Sequence, residues 1–302
     1  MEEIYKIETI EQYNNMYGFK TMHPLVAYVE FNESNSKFVP GRHTMGFYSL
    51  SLKETKGCVI NYGKTKYDFD GQTIVSIAPD QVVGFESVAG VPKKAKGILF
   101  HPDFLHGTSL ERKMKDYTFF SYASNEALHL SEDERKIITD CMAIVSKELQ
   151  NPIDRHTKSL ITTNIELILD YCLRFYERQF VTRQDLNLGA IAKFEKLVDE
   201  YIASGKAETE GLPTVKYFAD KVCLSSGYFG DLVKRETGRT AQEYIQRKII
   251  DLSKHRLLGS SQSVGEVAYS LGFQYPQHFI RLFKREVGCT PGEFRTESRT
   301  LN

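Results

Sequence analysis

Residues 282–295 read LFKREVGCTPGEFR, and residues 232–245 read LVKRETGRTAQEYI. The two stretches share Lys-Arg-Glu-x-Gly-x-Thr in register, with apolar residues before it and a Glu followed by an aromatic residue after it. A recurring stretch of this kind marks a repeated supersecondary unit, and it decides the fold around it. The sequence therefore contains two copies of one unit, 50 residues apart at this point.

Each copy carries apolar residues at the spacing of two short amphipathic helices. Positions i, i+3, i+4 and i+7 lie on one face of a helix, and both copies show this spacing followed, after a break, by a shorter i, i+3, i+4 stripe. The apolar positions are Val215, Phe218, Ala219, Val222, Phe229, Leu232 and Val233 in the first copy, and Val264, Val267, Ala268, Leu271, Phe279, Leu282 and Phe283 in the second.

Capping residues divide each copy into its two helices. Ser225 and Ser226 can accept the free N–H groups at the start of a helix, and Pro276 fits a first helical turn. Gly238 and Gly288 end the second helices. Two short helices joined by a tight turn form a helix-turn-helix, with a plain helical hairpin as the alternative. The sequence predicts such motifs at about 214–238 and 263–288.

The segment between the copies predicts a stiff connection. Residues 240–258 carry apolar residues at helical spacing and contain neither Pro nor Gly. A helix of these residues spans about 28 Å at a rise of 1.5 Å per residue. Successive major grooves on one face of B-DNA lie about 34 Å apart. We therefore expect the second helix of each motif to enter the major groove on the same face of one duplex. Ala219 and Ala268 supply the small residue needed where the two helices of each motif cross.

These residues resemble the C-terminal domain of AraC/XylS-type bacterial transcription regulators over roughly 190–298, and the second copy resembles it more closely. The resemblance implies a seven-helix DNA-binding domain and regulation of transcription initiation. The motif positions that carry it are Ala219, residues 234–238, Glu266-Val267-Ala268, Leu271-Gly272-Phe273, Gln277-His278-Phe279, residues 281–284 and Gly288-x-Thr290-Pro291-x-x-Phe294-Arg295.

The second helix of the second motif carries the side chains best suited to reading bases. Gln can bond adenine through two hydrogen bonds, and Arg can bond guanine in the same way. Gln277 and Arg281 match family positions that reach bases, although a solvated pair on a helix face is the alternative. His278 lies beside the apolar stripe, where phosphate contact and packing are equally expected.

The first motif departs from this pattern. Its groove-facing positions are Ser226, Gly227, Gly230 and Asp231. Glycine has no side chain, and an Asp carboxylate repels phosphate and accepts hydrogen bonds only from donors such as cytosine N4. The sequence therefore predicts weak base readout by this motif.

Cations near the ends of both second helices are suited to the DNA backbone. We expect Lys234, Arg235, Lys284 and Arg285 to meet phosphates or helix-end carboxylates, and Arg247 to approach the backbone as well. Phosphate contacts position a protein on DNA and make its binding salt-dependent.

The first part of the chain predicts a β-rich domain, so the whole chain is α+β. Short runs rich in β-branched and aromatic residues follow one another between residues 24 and 104, separated by turn signals. Residues 65–81 resemble the hairpin of the cupin-like sensor domain that these regulators carry, which implies a cupin-like β-barrel over 1–130. The predicted strands are 25–31, 44–52, 57–62, 66–69 and 73–78.

The histidines of this region do not form a metal-binding pattern. A cupin metal site needs a His-x-His pair with a nearby Glu and a further His, and no His-x-His occurs. The sequence thus predicts neither metal nor cofactor, and no enzyme activity. A cupin-type metalloenzyme with an appended DNA-binding module stays open as the alternative. Residues 101–110, HPDFLHGTSL, are a candidate lid or pocket-edge loop, with the ligand unknown.

Helical spacing follows over 131–181. Ser131 and Glu134 form a predicted capping box, and a second helix covers roughly 155–179 with a broad apolar stripe. Family resemblance implies a homodimer through this region, with packing inside one chain as the alternative. We expect a linker at 182–189, the DNA-binding domain at 190–302 and a polar loop at 205–211.

Charge and cysteine usage fit a cytoplasmic regulator. The 302-residue chain has no net charge, but residues 211–302 hold 14 Lys and Arg against 9 Asp and Glu. The five cysteines are scattered and the start of the chain lacks a secretory pattern, which favours the cytoplasm. We expect double-stranded DNA, RNA polymerase and a small-molecule or protein effector as partners, and no membrane. A fused alkyl-damage repair sensor is disfavoured, since no cysteine precedes Cys58.

Overall fold

The computed structural model describes residues 4–32, 41–53, 59–62, 65–68, 72–86, 94–123, 126–182 and 184–300. The chain divides into two compact units, Met1–Arg183 and Gln184–Asn302. The division falls inside the predicted linker 182–189. Within the described residues, every helix is too short or too polar to cross a bilayer.

The strands of the N-terminal unit form two five-stranded sheets. They are β1 (Ile4–Ile7), β2 (Val26–Phe31), β3 (Gly41–Met45), β4 (Tyr48–Lys53), β5 (Val59–Tyr62), β6 (Thr65–Asp68), β7 (Thr73–Ile77), β8 (Val83–Glu86), β9 (Ala95–Phe100) and β10 (Leu128–His129). The first sheet has the order β1-β3-β8-β5-β6, and the second has the order β10-β7-β4-β9-β2. Every pairing is antiparallel except that of β1 with β3.

The inner faces of the two sheets share one core. Ile7 and Val83 come from the first sheet, and Val29, Val75 and Leu99 come from the second; all are buried in the same cluster. Alternate residues of a strand point to opposite faces, so one face of each sheet is free to pack against the other. The described strands therefore form a two-layer sandwich, and their pairings do not close into a barrel.

The structure refines the strand prediction. The predicted strand 44–52 is two strands, β3 and β4, in different sheets. They separate at Gly46, whose N–H donates to the Ile7 carbonyl at 2.9 Å. The predicted strands 57–62 and 66–69 correspond to β5 and β6, while residues 57, 58 and 69 lie outside the described residues. Four strands, β1, β8, β9 and β10, were not predicted.

The helices of this unit are α1 (Ile10–Tyr17), α2 (Pro102–Leu105), α3 (Ser109–Lys113), α4 (Glu132–Glu148) and α5 (Thr157–Thr182). The capping box that starts α4 at Ser131 and Glu134 is confirmed, and α4 packs against α5. Arg178 of α5 strengthens the pair through an ion pair with Glu134 at 2.9 Å. The predicted loop 101–110 is largely helical, because His101 and Thr108 accept N–H groups as caps of α2 and α3.

The described part of the C-terminal unit contains eight helices, one more than the resemblance implies. They are α6 (Gln184–Ala203), α7 (Lys206–Glu210), α8 (Val215–Lys221), α9 (Ser226–Thr237), α10 (Ala241–Gly259), α11 (Val264–Ser270), α12 (Pro276–Val287) and α13 (Pro291–Thr300). Residues 184–189 of the predicted linker lie in α6, and α7 replaces the predicted polar loop 205–211. The extra helix forms because Gly205 adopts a left-handed φ of 71° and Ala207 is buried.

Candidate nucleic-acid interface

The first predicted motif is confirmed as α8, a tight turn and α9. Thr214 caps α8 by accepting the Tyr217 N–H at 3.1 Å, and Ser225 caps α9 by accepting the Tyr228 N–H at 3.2 Å. Between them, the Leu224 N–H returns to the Ala219 carbonyl at 3.0 Å.

The second motif repeats this turn in α11 and α12. Its Phe273 N–H donates to the Ala268 carbonyl at 3.1 Å, which matches the Leu224 bond of the first motif. Gly272 and Cys223 occupy the same position of the turn, with left-handed φ angles of 88° and 62°. The sequence repeat therefore corresponds to a repeated backbone conformation.

Small buried residues let the two helices of each motif cross closely. Ala219 and Ala268 both have no exposed surface, as predicted. The Phe279 and Phe283 rings of α12 lie with centroids 5.7 Å apart in the core beneath the second motif. Burying large aromatic rings on one side of α12 leaves its opposite side to polar residues.

The connection α10 is confirmed as one helix of 19 residues. Its capping box, formed by Thr240 and Glu243, recurs at Thr290 and Glu293 before α13. The start of α10 thus closes the first motif as α13 closes the second, and the end of α10 leads directly into α11. One rigid helix therefore belongs to both motifs.

A cluster of aromatic residues fixes α6 to the first motif. The buried Phe194 ring lies 5.3 Å from the Phe218 ring and 5.0 Å from the Phe229 ring. Tyr244 of α10 donates to the Glu195 carboxylate at 2.9 Å, and burial, followed by this bond, raises the pKa of Tyr244 to about 12. The helix α6 is part of the scaffold that holds α9 in place.

The outer side of α12 presents the residues predicted to contact DNA. Gln277, Arg281, Lys284 and Arg285 are all exposed, so each can reach a ligand. His278 is also exposed, and its ring lies 5.6 Å from the ring of Tyr275, so it does not pack in the core. Ile280, between Gln277 and Arg281 on α12, is only half-exposed.

The outer side of α9 has fewer exposed polar side chains that could contact DNA than the outer side of α12. Ser226 is exposed, whereas Gly227, Gly230 and Asp231 are half-buried. A Cβ built on Gly230 would meet no atom within 4 Å, so packing inside the unit does not require glycine there. This bare surface contrasts with the polar side of α12.

The remaining predicted phosphate contacts are accessible. Lys234 and Arg235 occupy the last turn of α9, and Arg247 is exposed on α10. Arg235 lies 3.8 Å from the Glu236 carboxylate, which makes it part of a local ion pair.

Sequence reasoning missed the contribution of α10 to the surface beside α12. Arg285 donates to the Gln246 side chain at 2.8 Å and to Glu286 at 2.9 Å. A groove of about 380 Å³ runs along this contact, and its lining includes Gln242, Arg281 and Arg285. The pair of glutamines at i and i+4 in QEYIQ is the signal in the sequence for this contribution, beside the predicted backbone contact of Arg247.

The C-terminal unit matches residues of known proteins. Residues 218–297 match a family described as a helix-turn-helix domain. The transcriptional activator RhaS of Escherichia fergusonii is 39% identical over 77 residues, which are 26% of this chain and 28% of RhaS. The bifunctional transcriptional activator/DNA repair enzyme AdaA of Bacillus subtilis is 36% identical over 104 residues, which are 34% of this chain and 47% of AdaA.

Among solved structures, the C-terminal domain of the two-component response regulator yesN from Fusobacterium nucleatum is 29% identical. The similarity covers 33% of this chain and 96% of that domain, with a TM-score of 0.30. The match to RhaS and to AdaA spans less than half the length of each relative. The helices, the repeated turn and these matched residues agree with the resemblance found in the sequence. The C-terminal unit of this chain carries an AraC-type helix-turn-helix domain.

Proposed function

We propose that this chain is a sequence-specific DNA-binding regulator of transcription initiation. The observation that carries the proposal is the presence of two equivalent helix-turn-helix motifs joined by the single helix α10. The joining helix is about 28 Å long, a length suited to placing the second helix of each motif in successive major grooves on one face of a duplex. One protein chain would then make two groove contacts.

In this proposal α12 supplies most of the sequence discrimination. Gln277 and Arg281 have the chemistry to bond adenine and guanine, respectively, through two hydrogen bonds each. Lys284 and Arg285 lie one turn further along and contact phosphates, which add affinity without discrimination. The bond from Arg285 to Gln246 supports this division, because it holds the guanidinium toward α10.

The first motif contributes positioning more than readout. Ser226, Gly227, Gly230 and Asp231 offer few hydrogen bonds to base edges, while Lys234, Arg235 and Arg247 are suited to phosphates. The bare surface at Gly230 would let the DNA approach the α9 backbone closely.

Selection of bound duplexes from a random library with the full chain, followed by two substitutions, tests this function. Arg281→Ala should lose about 1–3 kcal/mol of preference at one base pair, and Lys284→Ala should weaken all duplexes alike and reduce the salt slope by about 1. Lys196→Ala removes an exposed cation of α6, outside both motifs, and should change neither quantity. Identical behaviour of the Arg281 and Lys284 variants would contradict the assigned roles, and failure of the full chain to bind any duplex at low salt would overturn the function.

The N-terminal unit is proposed to be a cupin-like sensor that responds to a small-molecule or protein effector. Two five-stranded sheets around one core support a cupin-like arrangement. A cupin-type metalloenzyme stays the alternative, and the described residues contain no cluster of three or more potential metal ligands. We propose RNA polymerase as the further partner and the cytoplasm as the location.

A homodimer through α5 is proposed from its exposed apolar residues. Leu160, Leu167 and Val181 lie at heptad spacing on one side of α5 and are 48%, 43% and 55% exposed. Arg174 occupies the heptad position between Leu167 and Val181, so the apolar positions are continuous only over Leu160 and Leu167. Exposed large apolar side chains at heptad positions favour pairing with a second helix. The double substitution Leu160→Lys and Leu167→Lys should halve the mass measured by analytical ultracentrifugation. An unchanged mass would contradict the proposed dimer interface.

A further inference from the structure

A cleft of about 370 Å³ opens on the N-terminal unit where the turn between α2 and α3 meets the start of α5. Its volume lies within the range of small-molecule sites. The turn belongs to the HPDFLHGTSL segment, whose last residues form one wall. All the described residues that line this cleft belong to the N-terminal unit.

The lining combines two cations with hydroxyl groups. Lys158 comes from the first turn of α5 and Arg155 lies two residues before this helix, and five lining residues carry hydroxyls, including Ser159 and Thr162. None of the described residues that line the cleft carries a carboxylate. This composition is suited to an anion whose remaining atoms also form hydrogen bonds.

The two cations are held at the cleft by local contacts that leave donors available. Lys158 donates from Nζ to the His106 carbonyl at 2.8 Å, which anchors its ammonium beside the turn. Arg155 uses Nε to donate to His156 at 3.0 Å, so the two terminal nitrogens of its guanidinium remain for a ligand. An ammonium has three donors and can hold a ligand while it keeps the carbonyl.

The nearby carboxylates are engaged elsewhere. Glu111 accepts hydrogen bonds from His106 and from the Gly107 N–H, both at 2.9 Å. Asp154 accepts the N–H groups of His156 and Thr157 at the start of α5. These local bonds direct both acids to neighbouring donors, although their charge partly offsets that of the cations.

Thr162 provides an independent sign that the cleft takes a ligand. Thr162 is only 5% exposed, and its hydroxyl is buried without a hydrogen-bond partner among the described residues. A buried polar group without a partner is unusual in a folded protein. Since Thr162 lines the cleft, a ligand oxygen can supply the missing bond.

We propose that this cleft binds a small phosphate monoester. Its phosphate lies between Arg155 and Lys158, which together match the roughly two negative charges of a phosphate monoester near pH 7. The hydroxyls of Thr162 and Ser159 bond to the phosphate oxygens or to polar groups of the ester. Inorganic phosphate alone fills only part of the volume, so an ester bearing hydroxyl groups binds more tightly. Binding at this cleft is independent of the DNA contacts and is measured without DNA.

Isothermal titration of the full chain tests the proposal with three probes: inorganic phosphate, glucose 6-phosphate and glucose. We expect weak binding of phosphate, at least tenfold tighter binding of glucose 6-phosphate and no binding of glucose. Arg155→Gln and Thr162→Val should each weaken both phosphate probes about tenfold or more. Thr162→Val should leave the melting temperature without ligand unchanged or higher, because the hydroxyl it removes has no partner.

Two matched controls separate the cleft from general effects of charge and packing. Arg174→Gln removes an exposed cation further along α5 that does not line the cleft, and Thr139→Val removes a second buried hydroxyl without a partner, on α4. Both should bind the probes as the original chain does. Absence of phosphate binding, equal binding of glucose, or equal losses in the cleft and control variants would each overturn the proposal.

Discussion

The turn of the second helix-turn-helix motif makes a quantitative prediction about Gly272. Its φ of 88° lies in the left-handed region, and a Cβ added there would stand 2.7 Å from the Ala207 carbonyl oxygen and 2.8 Å from the Gly211 carbonyl carbon. Both atoms belong to backbone, so neither can move aside as a flexible side chain would. Gly272→Ala therefore combines a conformational cost with a steric one.

Gly288 separates these two costs because it shares only the first. Its φ of 92° is nearly the same, but a Cβ there would meet no atom within 4 Å. The left-handed conformation costs an alanine about 1–2 kcal/mol, which is the full loss expected for Gly288→Ala. Overpacking adds about 1–3 kcal/mol, so Gly272→Ala should lose about 2–5 kcal/mol.

A third substitution predicts a change of opposite sign. Gly230 lies inside α9 with open space around its missing Cβ. Replacing a glycine within a helix by alanine stabilises the helix by about 0.5–1 kcal/mol, so Gly230→Ala should raise the free energy of unfolding.

Urea unfolding of the full chain, followed by circular dichroism at 222 nm because the sequence has no Trp, measures the three variants on one scale. The expected order of stability is Gly230→Ala above the original chain, then Gly288→Ala, then Gly272→Ala. Equal losses for Gly272→Ala and Gly288→Ala would refute the close approach of α7 to the turn. A loss for Gly230→Ala would refute the open surface on α9.

Three further substitutions test other features of the C-terminal unit. Cys223→Gly, at the first turn, should raise the free energy of unfolding by up to about 1 kcal/mol, since it relieves a left-handed φ of 62°; a decrease would contradict that conformation. Phe194→Ala should cost about 3–5 kcal/mol, measured by urea unfolding, because this buried ring packs on three aromatic residues; a loss below 1 kcal/mol would contradict the packing. The Ser263 N–H, followed by the Ser263 hydroxyl, holds the pKa of Glu266 below its ordinary value of 4.5. A lowered carboxyl pKa stabilises the fold above about pH 4.5, and this contribution is lost as pH falls through the folded-state pKa. Glu266→Gln should therefore lower the melting temperature at pH 7 and lower it by less as the pH falls below 4.5, and an effect that does not change with pH would contradict the charge-dependent cap.

The helix-turn-helix motifs were predictable because their signals are local. Ser225, Pro276, Gly238 and Gly288 end or begin helices through their own backbone and side-chain chemistry. The bounds of α8, α9, α11 and α12 consequently agree with the predicted motifs within a residue or two.

Features that depend on distant contacts were not predictable in the same way. The short helix α7 lies between two glycines and reads as a polar loop, and the burial of Ala207 becomes visible only in the folded unit. The split of the predicted strand 44–52 depends on the bond from Gly46 to Ile7, 39 residues earlier.

The candidate site also contains features that a local sequence pattern predicts and features that depend on distant contacts. Exposure of Gln277 and Arg281 followed from the apolar stripe on the opposite side of α12, so sequence periodicity was sufficient. The bond between Arg285 and Gln246 joins residues 39 positions apart, and no local pattern predicts it. The assignment of base and phosphate contacts stays a prediction.

Because both motifs share α10, the evolution of the protein by insertion and deletion is constrained. An α-helix turns by about 100° and advances by 1.5 Å per residue. Inserting or deleting one residue in the middle of α10 would rotate the second motif by about 100° relative to the first around the helix axis. Substitutions on the solvent side of α10 would leave the relative orientation of the two motifs unchanged. Substitutions can thus change the side chains that contact bases far more easily than mutations can change the separation of the two motifs.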